Sequence, residues 1–384
     1  MEWQKYFASV PDFRLERKKL HQLSDILMLS LCAILSGAED FEDMETYGNQ
    51  KEGFLRQFLE LPNGIPSHDT INRVYNRLDK DEFAACLYRW SEELLDFLDY
   101  YQVTIDGKVL RGTAKAGEKK SGICLVSAWA QAQRLVLGQR KVDSKSNEKT
   151  AIPELIASLD LPGAVVSIDT VACTEKIAGP ITEKGAHYLL ALKKNQKQLF
   201  EQISEHMMQR KDALEKAEWV DFGSGRIEKR ICYVSEQLAL LDDLASWPAI
   251  SRVVMVEASR EREGKPEEQI RFYLSSLPAT ATLFNQLIRT HWGIENQLHW
   301  LLDVVFQEDQ SRIRKGNAPE NMATLRKMAL QILNQNTDKQ SMKSRRKIAA
   351  WNDDYLLDLL KNLKFYCVQP VQYANKQSLD KTTS

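Results

Sequence analysis

YQVTID (101–106), GICLVSAWAQ (122–131) and RLVLGQRKV (134–142) decide the fold. All three are rich in β-branched and apolar residues and are set off by glycine or polar turns, so three adjacent strands are expected. Beyond them the period changes repeatedly. TAIPELIASLDL (150–161) has helical spacing, GAVVSIDT (163–170) is an apolar run of strand length, residues 173–184 read as a helix, and HYLLALKK (187–194) reads as a strand. The order βββαβαβ predicts an α/β fold, a mixed sheet with helices on its faces.

Upstream, the first 97 residues read as helices only: LSDILMLSLCAILSG (23–37), FEDMETYGNQKEGFLRQFLE (41–60), HDTINRVYNRLD (68–79) and DEFAACLYRWSEELLDFL (81–98). Ser67, after Pro66, is placed to cap the third of these. The stretch GIPSHDTINRVYNRL (64–78) has two readings, a packing helix or the second helix of a helix-turn-helix. Downstream, residues 196–218 look helical, and RIEKRICYV (226–234), RVVMVEAS (252–259) and QIRFYLSS (269–276) are strand candidates forming an insertion. ATATLFNQLIRTHWGIENQLHWLLDVVF (279–306) returns to helix, and NMATLRKMALQILNQ (321–335) continues it past Pro319. The polar tail from Tyr373 is expected to be disordered.

With 384 residues, 43% hydrophobic and 27% charged, the chain is an ordinary globular one with room for two or three structural units. The longest apolar run, ILMLSLCAIL (26–35), is far short of the ~20 residues of a membrane span, and no leader pattern opens the sequence. The expectation is a cytoplasmic protein without membrane partners. Cysteines at 32, 86, 124, 173, 232 and 367 are scattered without zinc-ligand spacing, so reduced thiols are expected. The net charge of −1 conceals an asymmetry: residues 1–97 carry 11 Lys+Arg against 18 Asp+Glu, or −7, leaving +6 for the remainder. Basic residues gather at 108–120, 193–197, 312–315 and 339–347, either to hold phosphates or simply as solvated faces.

Acids stand where strands are read to end. Asp106 closes the first strand, beside Gly107, which lets a ligand or another chain segment come close. Asp169 closes the fourth. Carboxylates at the carboxyl ends of apolar strands occupy the part of an α/β sheet where sites form, although a turn-forming aspartate also fits there. Glu295 on the late helix supplies a third carboxylate, and three hard oxygen donors suit Mg²⁺ or Mn²⁺ better than zinc. Four-residue spacing puts Glu295, His299 and Asp303 on one helix face, while Trp292 and Trp300 either pack in the core or stack on an unpaired base.

These residues resemble a known family. The strand order with Asp106, Asp169 and Glu295 is similar to the RNase H-like core of DDE transposases. Residues 10–48, GIPSHDTINRV (64–74), IDGKVLRG (105–112), SNEKTAIPEL (146–155) and HWGIENQLHWLLDVVFQED (291–309) together resemble the H-repeat-associated, ISAs-type insertion-sequence transposases, over roughly residues 5–365. The resemblance implies an RNase H-like mixed sheet with a β-rich insertion, preceded by an all-helical amino-terminal domain. Its divisions would be 1–97, the associated helical domain; 98–195, the first part of the catalytic core; 196–278, the insertion; 279–370, the core's C-terminal helices; and 371–384, the tail.

The resemblance also implies an activity: two-metal strand cleavage and strand transfer at insertion-sequence ends, with Asp106, Asp169 and Glu295 holding two Mg²⁺ or Mn²⁺ ions. It further implies double-stranded DNA as partner, a homodimer in a synaptic complex, and nucleoid association when DNA is bound. Candidates for contact with DNA are Lys108, Arg111, Lys193, Asn195, Arg289, His291, Trp292, His299, Arg312 and Arg314. Some family features are replaced: SIDTVACTEKIA (167–178) surrounds the second acid, Ile288 and His291 precede Glu295 where related enzymes place Tyr and Arg, and Leu302 stands in place of a later Lys. Two other functions compete with this one. One is a hydrolase with a metal on His291, Glu295 and His299, whose order is not the H-E-x-x-H of metalloproteases; the other is a domesticated or inactive copy that binds DNA without cutting it.

Overall fold

The structure, a computed structural model, describes residues 2–94, 102–114, 122–142, 148–169, 173–223, 226–262, 265–336 and 338–361. The 97/98 boundary, Lys115, Lys119 and Lys120 of the first basic cluster, the flank at 170–172 and the tail therefore lie outside the described residues.

Five amino-terminal helices come first: α1 (Glu2–Ala8), α2 (Leu23–Leu35), α3 (Phe41–Leu55), α4 (His68–Arg77) and α5 (Lys80–Leu94). The Ser67 side chain accepts from the Thr70 amide, the cap expected at the start of α4. Next come β1 (Gln102–Leu110), β2 (Ile123–Ala130), β3 (Leu135–Lys141), α6 (Glu148–Ala157), β4 (Val165–Ile168), α7 (Glu175–Glu183), β5 (His187–Leu192) and α8 (Lys197–Gln209). The order βββαβαβ is as expected. Strands β6 (Glu215–Gly223), β7 (Arg226–Ser235), β8 (Arg252–Arg262) and β9 (Lys265–Ser275) precede α9 (Ala281–His291), a π-helical turn (Glu295–His299), α10 (Trp300–Val304), α11 (Ala318–Gln335), α12 (Met342–Trp351) and α13 (Asp353–Lys361).

All nine strands form one sheet in the order β3-β2-β1-β4-β5-β9-β8-β7-β6. Strand β1 runs antiparallel to β2 and parallel to β4, and β4 is parallel to β5. The insertion joins this sheet directly, because β9 pairs antiparallel with β5 from Leu189↔Ser275 to Leu192↔Phe272. Two details differ from the sequence reading. Helix α8 ends at Gln209, and residues 215–218 belong to β6; this strand lies at the sheet edge and exposes Glu215, Lys216, Glu218, Trp219 and Val220, so it lacks the apolar alternation that marks a half-buried strand. Strand β1 also continues four residues past Asp106, since Gly107–Leu110 still pair with Val126–Ile123 of β2.

Helix α11 is the spine of the molecule. Every residue from Ala318 to Leu333 is buried, with Pro319 in the first turn, where its missing N–H costs nothing. Its apolar side chains belong to one core that extends from Tyr6 to Leu360 and takes in the amino-terminal helices, β1 to β5 and the C-terminal helices. Each of its buried polar side chains makes at least one hydrogen bond or ion pair, although Asn321 Oδ1 and Arg326 Nε are buried without a partner. Asn321 donates to the Tyr75 and Leu78 carbonyls at 2.9 and 3.0 Å, and Gln331 donates to Ser91 Oγ and accepts from the Val136 amide. Part of the 339–347 basic run is likewise internal. Arg345 pairs with Asp338 at 2.7 Å, and the buried Arg346 donates to the carbonyls of Ile34, Ala38 and Val305.

Candidate active site

Strand β1 and the segment after α9 form the site. Alternation along β1 puts Asp106 and Lys108 on one face, and four-residue spacing puts His299 and Asp303 opposite them. His299 Nδ1 lies 3.5 Å from Asp106 Oδ2, and Lys108 Nζ lies 2.5 Å from Asp303 Oδ1. Above them α9 is fixed to the sheet: Gln102 of β1 donates to Ser167 Oγ and to the Leu287 carbonyl, both at 2.9 Å, and accepts from Thr290 Oγ1. The wide turn at Glu295–His299 then lets the chain swing over β1, and π-turns of this kind recur at functional sites.

Four carboxylates influence one another here. Burial pushes Asp106 up to about 7, and the negative charges of Glu148, Glu295 and Asp169 push it the same way. Asp169 directly follows β4, beside β1 in the sheet, and Lys193 Nζ stands 3.6 Å from its Oδ2. Glu295 is exposed at the head of the π-turn. Glu148 was not singled out from the sequence, although it lies in the SNEKTAIPEL motif. The signal that could have found it is Gly107: a Cβ at that position would stand 2.2 Å from Glu148 Oε1, so the glycine admits this carboxylate. The Cys124 thiol donates to the same oxygen at 3.7 Å, and burial with that carboxylate raises the thiol to about 12.

The acids share a field rather than a coordination shell. Among the described residues no three His, Cys, Asp or Glu side chains are close enough to hold one ion. Like charges repel, and Lys193 draws on Asp169. The chemistry of the set nonetheless suits a hard divalent cation: it consists of carboxylate oxygens, and the pKa of one member is raised by burial and, further, by the charges of the others.

The histidines do not form a second metal site. His291 Nδ1 shares a 3.0 Å hydrogen bond with Ser167 Oγ, and burial lowers its pKa to about 4. His299 faces Asp106, and burial, reinforced by Lys108 and Lys327, lowers its pKa to about 3. Both are neutral at physiological pH, and they face different partners.

The candidate DNA contacts divide into two sets. Lys108, its side chain 11% exposed, is held by Asp303 and by Glu308 at 2.8 Å, so its charge is already paired within the protein. Arg289 pairs with Asp221 at 2.9 Å, Arg111 lies 3.5 Å from Asp309, and Arg314 donates to the Gly112 carbonyl. Lys193, Asn195 and Arg312 are exposed near the sheet end, and Arg271, which the sequence reading missed, lies 4.6 Å over the Trp292 ring. Asp169, Lys193, Arg271, His291 and Trp292 line a cleft of about 370 Å³; Trp292 and Arg271 also border a second cleft of about 330 Å³ that contains Glu295. Trp300 is 55% exposed rather than part of the core.

Asp106, Asp169 and Glu295 thus come from β1, the end of β4 and the turn after α9, and comparison with known proteins gives the family. Residues 98–332 match the Transposase DDE domain, and residues 4–91 match the DDE_Tnp_1-associated domain. The chain belongs to the DDE transposases, in the H repeat-associated group, and is an enzyme of that class. It is 38% identical over 363 residues to a putative transposase YncI of Escherichia coli O157:H7, covering 92% of this chain and 93% of that one. It is 36% identical over 368 residues to the H repeat-associated putative transposase YhhI of Escherichia coli K12, covering 92% and 96%. A short relative, the inactive transposase YbfQ of the same strain, is 47% identical over 72 residues, which is 19% of this chain and 86% of that one. A solved piggyBac transposase synaptic complex with hairpin DNA covers 94% of this chain and 78% of its own at a TM-score of 0.44 and 11% identity, a likeness too distant to carry an argument. No helix among the described residues is long and apolar enough to cross a membrane.

Proposed function

We propose that the chain cuts and rejoins DNA at insertion-sequence ends by divalent-metal phosphoryl transfer, with Asp106, Asp169 and Glu295 as the metal-holding acids and Glu148 beside them. The observation that carries this reading is the raised Asp106, whose charge is opposed by acids from three other segments. The sheet order β3-β2-β1-β4-β5, with its first three strands antiparallel, supports an RNase H-like core. Two Mg²⁺ or Mn²⁺ ions, when bound, supply activation of water for strand cutting and of the freed 3′-hydroxyl for strand transfer.

The chain's own part is to position. Gln102, Ser167 and Thr290 hold α9 against β1 and β4, and the π-turn directs Glu295 towards the sheet end. His299 Nδ1 stands 3.5 Å from one oxygen of Asp106 and, being neutral, leaves the carboxylate's charge for a cation. Lys193, Asn195, Arg312, Trp292 and Arg271 form the exposed flank that receives the phosphate backbone and an unstacked base. In this reading two subunits hold two ends in a synaptic homodimer, in the cytoplasm at the nucleoid.

One labelled element-end duplex tests it, with Mg²⁺, Mn²⁺, Ca²⁺ and Zn²⁺ supplied in turn. Asp169→Ala should fold and bind DNA, because it removes an exposed ligand, while strand cleavage falls to background. Ca²⁺ should allow binding without cutting, as its looser shell holds the reacting oxygens poorly. Cleavage by Asp169→Ala that requires His291 would establish the hydrolase alternative. Binding without cleavage by the unmodified chain under every ion would establish an inactive copy, the state named for YbfQ.

A further inference from the structure

Helix α4 is a packing helix on one side and bare on the other. Ile71, Val74 and Tyr75 are buried, whereas Asp69, Arg73 and Arg77 point outward at four-residue intervals with Thr70 beside them. The segment 13–21 runs beside this outer face, and between them is an open cleft of about 390 Å³ lined by Arg14, Leu20, His21, Thr70, Arg73 and Arg77. Two basic stretches more than fifty residues apart in sequence thus meet on a domain whose net charge is −7. Arg14 pairs with Asp12, and Lys19 with Asp12 and Glu16, but among the described residues no carboxylate lies within ion-pair distance of Arg17, Arg73 or Arg77. His21 lines the cleft 9% exposed, its Nδ1 buried without a partner, and Phe13, Leu15 and Leu20 stand around it 42, 59 and 65% exposed.

We infer that this surface is a sequence-reading site for duplex DNA, with α4 in the major groove and the segment 13–21 on the neighbouring phosphates and sugars. The inference rests on the DNA reading of the active site. An exposed 10-residue helix of roughly 15 Å fits a major groove of roughly 12 Å width. Its outward side chains are of the kinds that read base edges: arginine forks bind guanine O6 and N7, and Asp69 accepts from the cytosine amino group. The exposed apolar side chains suit thymine methyls and sugar faces. An acidic domain with one basic face also orients itself on DNA, since the rest of its surface is repelled.

The test uses the full chain, in EDTA to prevent cutting, and a random pool of duplexes of roughly 30 base pairs, about three helical turns. The unmodified chain should enrich a sequence motif. Arg73→Ala with Arg77→Ala should bind that motif roughly a hundredfold more weakly while binding unselected duplex within a few-fold of the unmodified chain. Arg17→Ala should weaken binding to every sequence and reduce the slope of log K against log salt by about one. Arg73→Lys with Arg77→Lys keeps the charge but loses the fork, and should lose most of the selection.

If either double variant enriches the motif as the unmodified chain does, the base-reading role is overturned. A double variant that keeps the motif but no longer self-associates in sedimentation assigns the surface to a second copy of the chain, which also overturns it. Enrichment of nothing by the unmodified chain removes the DNA reading itself, an outcome distinct from failure of the surface alone. Because Arg73 and Arg77 are exposed, their variants should unfold at the same urea midpoint as the parent, so loss of selection cannot be assigned to loss of fold.

Discussion

Asp106→Asn makes the sharpest demand on the site. In the folded chain the carboxyl keeps its proton up to about pH 7, against 3.8 for the unperturbed group. Between those values the folded state binds a proton that the unfolded state has released, so stability from this group is fully present below about pH 4 and is lost as pH rises through about 7. The whole effect corresponds to at most about 4 kcal/mol, and the side chain is 29% exposed, which lets water recover part of it. Asparagine keeps the shape without the charge. In EDTA, urea unfolding should therefore show the variant close to the parent at about pH 4 and more stable by roughly 2–4 kcal/mol at about pH 8.5. His291 and His299, at about 4 and about 3, do not titrate between about pH 6 and 8 and cannot produce this difference. An excess of Mn²⁺ at the higher pH should reverse the order, because only the parent offers a charged ligand there. A variant less stable than the parent at pH 8.5 without metal, or a difference that does not change with pH, would refute the argument.

Two other substitutions test the supports of the site. Lys108→Met removes the cation held by Asp303 and by the fully buried Glu308, and should cost about 3–5 kcal/mol in urea unfolding; Lys108→Met with Glu308→Gln should recover part of that loss, and no recovery would argue against a paired role. Gly107→Ala sets a methyl 2.2 Å from Glu148 Oε1, the far end of a flexible, half-buried side chain that must swing aside, and should destabilise by about 1 kcal/mol; the loss should shrink in Glu148→Ala, and equal losses in both backgrounds would contradict the contact.

The parts of the fold visible in the sequence were those where burial and chemistry coincide. VVSID and VTID are apolar runs that would bury a carboxylate at a cost, and that cost is what marked Asp106 and Asp169. Glu295 was legible as an acid on the late helix, within 279–306. Partners set by tertiary packing left no local trace. Lys108 reads as a solvated cation in KVLRG because Asp303 and Glu308 lie some two hundred residues away, and Arg346 reads as one of a basic run although the end of α2 takes its donors. The π-turn has no compositional signature in ENQLH, and β6 carries the charges of an exposed edge. Of the two readings of residues 64–78, packing is seen in the buried Ile71, Val74 and Tyr75 of α4, and the exposed side of that helix is what the DNA proposal above rests on.

Helix α11 has a bearing on how such a gene can decay. Its sides are clasped at once by α2, α4 and α5 and by β3, so the amino-terminal helices are as much a wall of the catalytic half as the sheet is. A deletion that removes them uncovers the faces of α11 that pack on α2, α4 and α5, leaves the Asn321 amide without the Tyr75 and Leu78 carbonyls, and takes Ser91 from Gln331. A chain shortened in this way should therefore lose its fold while every acid of the site is still present.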